Sequence, residues 1–313
     1  MSDGYLAYPR RRPGPDHDRY DSSPLPTRRE RVHWPGGAAV AVWVVVSIES
    51  FRPDAPRPPF APRGAPTREW FDYREWTLRD YGPRVGIFRI LETLDAVGVR
   101  GTAAINADAC ERTPAAVEAV LARGWEALGH GLSSSLPLYE GMTEADERAI
   151  IDESLGILRA ATGQPVRGWL GPSMSESSRT LDLLAEQGVA YVCDWVNDDL
   201  PYAMRTASGV IHALPYSWEI NDLTITQELH QPALELERAI VDQFAYLVDE
   251  ARSDGGRAMC VALHAWVAGQ PHRIVALRRA LERIAATGDA WFATGSELLA
   301  AFLAGRDAGP AGE

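Results

Sequence analysis

The hydrophobic positions of this chain form short apolar runs that alternate with amphipathic segments of helical period. Residues 38–49, AAVAVWVVVSIE, are a continuous β-branched run, which is typical of a strand buried on both faces. Residues 85–98 have the apolar spacing of an amphipathic helix and end at a glycine. The alternation continues along the chain and predicts roughly seven or eight strand–helix units.

These units predict an α/β fold, most simply a distorted (β/α) barrel in a single domain. A doubly wound open sheet is the alternative, but the strand–helix junctions contain no glycine-rich phosphate loop to support it. Thr113-Pro114, and Thr143 with Asp146 three residues later, have the residue types of helix starts. Further strands are predicted at residues 101–107, 125–130, 168–173, 190–195, 209–217, 258–265 and 290–295, and further helices at 143–161, 178–187, 232–252 and 272–286.

The composition divides the chain into three regions. Residues 1–35 are rich in Arg, Pro and Asp and predict an extended N-terminal arm, either a disordered tail or a segment wrapped around the body or a neighbouring subunit. Residues 36–303 form the predicted barrel, and residues 304–313 a flexible C-terminal tail. Within the barrel, residues 51–82 form a Pro-, Arg- and aromatic-rich insertion whose length is typical of a functional loop.

Charge and composition exclude several classes of function. The formal net charge of −12 disfavours nucleic acid and anionic membranes as partners. The chain contains no lysine, which excludes Schiff-base chemistry, a P-loop lysine and a Ser-Lys pair. Cys110, Cys193 and Cys260 lie far apart and are expected to be reduced thiols. The start of the chain is not signal-like and no apolar run has membrane-spanning length, so we expect a cytoplasmic protein.

The candidate chemistry lies where the predicted strands end. In a parallel α/β barrel the carboxyl ends of the strands meet at one edge, where active sites are built. Polar side chains at this edge are therefore expected to share one site. Five strands are followed by such residues: Glu49, Asn106, His130, Asp194 and His264.

Glu49 and His264 are the candidates for acid–base catalysis. A carboxylate that ends a buried run is costly to desolvate unless it is paired, so Glu49 is either a general base or acid, or the partner of an arginine in residues 51–89. His264 is the second acid–base candidate, and His272 is interpreted as a cap or rim residue. A buried carboxylate would orient His264. The candidates for this role are Asp194, Asp198 and Asp199.

Tryptophans recur in the same strand-end segments. Core packing explains any one of them, but together they predict an aromatic-walled pocket for a small, flat ligand. They are Trp169, Trp195, Trp218 and Trp266.

Seven segments occur along residues 33–303 in a recognisable order: HWPGGAAVAVWVVVSIESF, DYGPRVGIFRILETLDAVGVRGTAAINA, GWEALGHGLSSS, GWLGPSMSES, CDWVNDDLPY, PYSWEINDL and LHAWVAGQPHR. In this order they resemble the motifs of the polysaccharide deacetylase superfamily, and within it the allantoinase-like branch that hydrolyses cyclic ureides and imides. The resemblance implies a distorted (β/α) barrel and a hydrolase.

The resemblance also implies roles for individual residues. In the metal-dependent deacetylases of this superfamily, two aspartates act as base and metal ligand, a His-x-x-x-His pair supplies further ligands, and a late histidine acts as acid. In this chain Glu49 and Ser50 stand at the aspartate positions, His130 and Ser134 at the histidine pair, His264 at the late histidine, and Leu170 at the arginine that orients the base.

One imidazole cannot hold a catalytic zinc, which usually has three protein ligands. If Glu49 joined His130 as a ligand, the base would be lost. We therefore expect no native metal and no cofactor, with zinc as the alternative.

The sequence thus predicts a hydrolase of a non-peptide C–N bond in a small cyclic amide, imide or ureide. Glu49 would activate water, His130 and backbone N–H groups would polarise the carbonyl, and His264 would protonate the leaving nitrogen. Substrate contacts are expected from Asn106, Ser134, Asn221, Asp222 and the four tryptophans.

Three alternatives stay open at this point: a metal-dependent deacetylase of an N-acetylated sugar or metabolite, a ligand-binding barrel without turnover, and an enzyme of specialised metabolism with other chemistry. The expected partners are a small-molecule substrate and further copies of the chain in a homo-oligomer.

Overall fold

The β-branched run lies at the centre of a nine-stranded sheet in the computed structural model, which describes residues 19–21, 31–68 and 70–306. The sheet order is β6-β7-β5-β4-β3-β2-β1-β8, and β9 also pairs with β1. The strands are β1 Val40–Ile48, β2 Thr102–Ile105, β3 Glu126–Gly129, β4 Gly168–Trp169, β5 Tyr191–Val192, β6 Tyr202–Thr206, β7 Gly209–Ala213, β8 Arg257–His264 and β9 Ala290–Phe292.

The two edges of β1 are both occupied. Strand β8 pairs with it in parallel along residues 40–47, so β9, at residues 40–42, and β2, at residues 45–48, share the other edge. The order from β1 to β5 follows the chain without the reversal that a doubly wound sheet requires. The structure therefore confirms the predicted distorted (β/α) barrel.

The barrel is distorted between β8 and the β6–β7 hairpin. Irregular chain fills this gap: the Ala262 N–H donates to the Ile220 carbonyl at 3.0 Å, and the Ala258 N–H donates to the Asp199 carbonyl at 3.3 Å. Strand β6 is antiparallel to β7 and was not predicted. The segment that crosses the gap carries residues 220–222 to the edge of the site.

The alternation of side chains along each strand separates two cores. In β1, Trp43 and Val45 belong to the core inside the barrel, while the intervening valines pack against the outer helices. Ser47 and Glu49 continue the inward positions past the end of the apolar run, because strand side chains repeat every second residue. The same parity places His130 two residues after Leu128, and His264 two residues after Ala262.

The helices follow the predicted periodicity in most of the barrel. Thr143 caps its helix by accepting from the Asp146 N–H, as predicted, whereas the Thr113 hydroxyl donates back to the Ala109 carbonyl at 3.2 Å and caps nothing. The helices are α1 Tyr73–Tyr81, α2 Ile87–Ala96, α3 Ala107–Arg112, α4 Pro114–Leu121, α5 Glu144–Thr162, α6 Thr180–Glu186, α7 Ala233–Asp254, α8 Ala265–Ala268, α9 Pro271–Ala285 and α10 Gly295–Gly305.

The insertion at residues 51–82 is only partly a loop. Its second half forms α1, which continues through a π-helical segment, Gly82–Gly86, into α2. The polar composition of YREWTLRDY hid this helix from the sequence pattern. The short helices α3 and α8, the π-helical segment Thr224–Glu228 and the C-terminal helix α10 were likewise not predicted.

The predicted boundaries of the arm and tail need correction where the structure describes them. Val32 and Trp34 are buried, and Val32 forms a bridge with Arg306, so this stretch packs on the body. Helix α10 continues past residue 303, so the predicted boundary falls inside a helix. Arg19 pairs with Asp182 at 3.2 Å. Residues 1–18 and 22–30 of the predicted arm, and residues 307–313, lie outside the described residues.

Within the described part of the chain, no helix is long and apolar enough to cross a membrane.

Candidate active site

The inward-facing polar residues of four strands meet at the carboxyl edge of the barrel. Glu49, His130 and His264 line one small cavity of about 20 Å³, which has room for a water molecule. Asn106 lies directly behind these groups, fully buried. Asp194, the fifth predicted member, lies behind the Gly171 wall of the cavity and not in it.

Both oxygens of the Glu49 carboxylate are held by neutral donors. The Trp266 indole N–H donates to Oε2 at 2.7 Å, and the Ser134 hydroxyl lies 2.9 Å from Oε1. Glu49 forms no ion pair with any arginine in the described ranges, so the salt-bridge alternative is not what the structure shows. A carboxylate that is fixed but not neutralised by a cation contact retains the capacity to accept a proton.

Arg79 provides a more distant positive charge and was missed because α1 was expected to be a loop. Its guanidinium lies 5.2 Å from the Trp266 ring centre and donates to the carbonyls of Gly64 and Glu75. Burial lowers the pKa of Arg79, and the charge of Glu49 opposes that shift. The Arg79 guanidinium therefore stacks on the tryptophan that orients Glu49.

Asn106 and Ser134 position the base, although both were predicted to contact substrate. Asn106 Oδ1 accepts from the backbone N–H groups of Ser50, at 2.8 Å, and Ser134, at 3.1 Å, and its amide donates to the His130 carbonyl. The Ser134 hydroxyl also lies 2.9 Å from Asn106 Oδ1, but its single proton favours the charged acceptor, Glu49. Asn106 therefore connects the ends of three strands.

His130 is held in one tautomer. Its Nδ1 lies 2.6 Å from the Leu170 carbonyl, which can only accept, so Nδ1 carries the proton. Burial lowers the pKa of His130 and keeps the ring neutral, so Nε2 presents a lone pair. The predicted role must be corrected: a neutral His130 with this tautomer accepts a hydrogen bond and cannot polarise a carbonyl.

Asp222 orients His264, a role that we predicted for Asp194, Asp198 or Asp199. Asp222 Oδ1 lies 2.7 Å from His264 Nδ1, and its carboxylate also accepts from the backbone N–H groups of His264 and Ala268. Burial lowers the pKa of His264, but the charges of Asp222 and Glu49 outweigh burial and raise it above its ordinary value. Asp222 is fully buried and was wrongly predicted to grip the substrate.

Asp194 and Asp198 have other partners. Asp194 accepts from the Gly171 N–H at 2.8 Å and shares a hydrogen bond with Glu176. Burial raises the pKa of Asp194 well above its ordinary range and that of Glu176 to about 7, so the two carboxyls hold a proton between them. Asp198 accepts from the Leu200 N–H at 3.1 Å and does not line the cavity.

The four tryptophans do not form one wall. Trp266 contacts the site by donating a hydrogen bond to Glu49. Trp218 is about two-fifths exposed and stacks against the Arg63 guanidinium, which lies 3.7 Å from the ring centre. Trp169 is fully buried in the outer core, because its position in β4 has the outward parity. Trp195 donates to Glu176 at 3.1 Å and packs on the Tyr20 ring. The predicted aromatic pocket is therefore wrong for Trp169 and Trp195.

Several residues that the sequence reasoning missed also line the cavity, among them Ser47, Arg63 and Tyr216, beside the predicted Asn221. Strand parity could have identified Ser47, since it lies two residues before Glu49. Its hydroxyl is buried and has no hydrogen-bond partner in the ranges that the structure describes. Such a group needs a water or ligand atom, which supports a bound water in this cavity.

The donor set does not fit a catalytic zinc. Where the superfamily's metal-dependent members have a carboxylate and a second imidazole, this chain has the hydroxyls of Ser50 and Ser134. No cluster of three His, Cys, Asp or Glu side chains suited to a metal ion occurs among the residues described. His130 Nε2 offers an imidazole lone pair, whereas the charges of Asp222 and Glu49 raise the pKa of His264 and favour a protonated ring, which offers none.

Comparison with known proteins agrees with this fold. Residues 77–192 match the family model described as polysaccharide deacetylase. A Schizosaccharomyces pombe protein named as a polysaccharide deacetylase is 25% identical over 305 residues, covering 87% of this chain and 92% of that protein. A crystal structure from Pseudomonas aeruginosa PAO1, also named as a polysaccharide deacetylase, has 26% identity and a TM-score of 0.79, covering 90% of this chain and 97% of that one.

These likenesses confirm the resemblance to the polysaccharide deacetylase superfamily, whose domain residues 77–192 match, and they agree with a hydrolase that acts on C–N bonds. A second crystal structure, that of PuuE allantoinase, is equally similar. It has 26% identity and a TM-score of 0.80, and the match covers 91% of this chain and 98% of that enzyme.

Proposed function

We propose that this protein hydrolyses a C–N bond in a small cyclic amide, imide or ureide, with Glu49 as the general base and no catalytic metal. The observation that carries the proposal is the Glu49 carboxylate, fixed by Ser134 and Trp266 beside His130 and His264 in a small cavity. The similarity to PuuE allantoinase supports this branch of the superfamily over a polymer deacetylase.

The first step is attack of water on the ring carbonyl. Glu49 takes one proton from the water as its oxygen bonds to the carbonyl carbon and the π electrons move to the carbonyl oxygen. The Ser47 hydroxyl and the His130 lone pair are the groups available to hold the water or a ring N–H, because each lines the cavity with hydrogen-bonding capacity to spare.

The second step is collapse of the tetrahedral intermediate. The C–N bond breaks and the nitrogen takes a proton from His264 Nε2, which the Asp222–His264 pair keeps available by raising the imidazole pKa. The ring opens to a carboxylic acid, whose proton is lost to water. Glu49 and His264 then return to their starting states by exchange with solvent.

The protein also disfavours a polymer as substrate. Arg63 and Leu223 line a cavity of about 20 Å³, which is too small for a ring, so even a small ring requires some lining residues to shift. A sugar chain would require a larger shift of the same residues. The substrate is therefore expected to be compact.

Proton NMR of one substrate mixture tests the proposal. Wild type and Glu49→Gln are incubated with allantoin, hydantoin, succinimide, dihydrouracil and an N-acetylglucosamine oligomer. We expect the wild type to open a ring. In Glu49→Gln the rate of ring opening should fall roughly 10²–10⁴-fold, which is the usual contribution of a general base. The exposed Glu92→Gln on α2 serves as the matched carboxylate control and should retain full activity.

The thermal midpoint of each variant is measured alongside, because Glu49→Gln must keep its fold for the comparison to count. Ring opening that survives Glu49→Gln would disprove the assigned base. Release of acetate instead, abolished by a chelator, would favour the metal-dependent deacetylase. Binding without turnover of any compound would favour a ligand-binding barrel.

A further inference from the structure

Arg63, in the insertion, lines the cavity and is held there by several contacts. Its backbone N–H donates to the Ser173 hydroxyl at 2.9 Å, and its guanidinium stacks on Trp218. Glu228 forms an ion pair with Nε at 2.8 Å. The Arg63 side chain is only 14% exposed, so these contacts fix the plane of the guanidinium next to the catalytic groups.

The hydrogen bonds of Arg63 leave one end of the guanidinium free. An arginine has five N–H donors. Nε and one proton of Nη2 are directed at the two oxygens of Glu228, and Nη2 also donates to the Thr224 hydroxyl. Within the described ranges, Nη1 has no acceptor. Two charge-assisted donors therefore remain on a residue that lines the same cavity as Glu49 and His264.

The proposed reaction needs such donors. The oxygen of the attacked carbonyl becomes an oxyanion, and the site has neither a fitting metal set nor a donating His130. The cavity wall also carries uncharged donors, the side chains of Ser47, Ser173, Tyr216 and Asn221. Arg63 is favoured because its guanidinium donors are charged. The Arg63 charge also acts to lower the pKa values of both His264 and Tyr216, which places it close to both side chains.

We infer that the Nη1 group of Arg63 donates to the carbonyl oxygen of the substrate and stabilises the oxyanion that forms on attack. This inference rests on the proposed function and specifies its substrate class. Glu228 already balances the Arg63 charge, so the site favours an uncharged carbonyl group, as in a neutral cyclic imide or ureide, over a substrate that presents a carboxylate.

Kinetics of Arg63→Ala on the ring that the wild type opens test the inference. Loss of one oxyanion donor typically costs ~10²–10³ in kcat, and we expect a loss of this size. Millimolar methylguanidine should restore part of the lost rate, which a purely structural role would not allow. The alkaline limb of the kcat/KM profile should move to higher pH, because the Arg63 charge opposes protonation of His264.

Three variants separate donation from anchoring. Glu228→Gln removes the anchor but keeps Nη1, so it should lose far less activity than Arg63→Ala. Arg57→Gln changes an exposed arginine of the same insertion and should behave as wild type. A large loss in Tyr216→Phe with little loss in Arg63→Ala would assign the donor to Tyr216 and overturn the inference. So would equal losses in Arg63→Ala and Glu228→Gln without rescue.

A binding assay keeps this test separate from the proposed function. Calorimetric titration of Glu49→Gln with hydantoin and succinimide, with and without Arg63→Ala, requires no turnover. Binding that weakens at least tenfold on loss of Arg63 would support carbonyl recognition even if the wild type opened no ring. If neither ring binds and none is opened, both the inference and the proposed function are wrong.

Discussion

The proton on His264 depends on Asp222. Burial alone would lower the imidazole pKa, and the carboxylate 2.7 Å from Nδ1 raises it above its ordinary value. Asp222→Asn keeps the size of the side chain but removes its charge, so the pKa of His264 should fall. The acid form is then lost at lower pH, and the alkaline limb of kcat/KM should move down the pH scale.

A pH profile of purified Asp222→Asn checks this shift, with the thermal midpoint measured because Asp222 also accepts from backbone N–H groups. Asp198→Asn is the matched control, since Asp198 lies outside the cavity and its variant should keep the wild-type limb. A limb that moves in neither variant would show that His264 is not the acid.

Residue positions were predictable where a strand ends and not where the chain is irregular. Glu49, His130 and His264 follow apolar strands, and strand parity brings them to the interior edge. The same parity, applied to β4, would have excluded Trp169. Asp222 and Arg63 reach the site from irregular segments, so no periodic signal in the sequence connects them to His264 or Glu49.

At the scale of elements, the π-helical segment Gly82–Gly86 crosses the short helix α8 with almost no space between the backbones. A Cβ on Gly86 would overlap the carbonyl oxygen of Ala265, and one on Gly82 would lie 2.8 Å from the Trp266 nitrogen. This crossing brings Arg79 and Trp266 together beside Glu49. Glycine is needed here for close approach of two backbones.

Gly86→Ala should therefore lower the free energy of unfolding by about 1–3 kcal/mol, the usual cost of overpacking. Gly156→Ala is the matched comparison. Gly156 lies on the exposed face of α5 with nothing within 4 Å of the added methyl, so alanine there should raise stability by roughly 0.5–1 kcal/mol. Urea denaturation measures both, and equal effects would contradict the role of the crossing.

The element pattern predicted the long units and missed the short ones. Apolar runs such as β1 and amphipathic helices such as α5 bury one continuous face, which leaves a clear period. Helices α3 and α8 have six and four residues, too few for a period to show. Helix α1 buries only Arg79, so it has no apolar face that the sequence could reveal.

At the scale of the whole molecule, the small cavity at the barrel mouth should exclude chain-like ligands. Arg63 of the insertion and Leu223 both line this cavity, and Arg63 binds Glu228 and Thr224 of the segment that follows Leu223. A chitin pentamer should therefore neither lose acetate nor slow the opening of a small ring. Steady-state competition measures this, with a second small imide as the positive control. Competitive inhibition by the pentamer would show that the mouth admits a polymer.

The sequence by itself determined the resemblance to the polysaccharide deacetylase superfamily, the barrel, and three residues that meet in the candidate site, Glu49, His130 and His264. Its apolar runs identify the side chains that enter the core. Because side chains alternate along a strand, the same runs predict which polar side chains at the strand ends face the interior of the barrel. Only the tertiary structure decided which carboxylate orients His264, which donors hold Glu49, and that Arg63 lines the cavity. The contacts of Asp222 with His264 and of Trp266 with Glu49 join residues separated by 42 and 217 positions in the sequence. Closure of the barrel, and not a local period, therefore sets these distances.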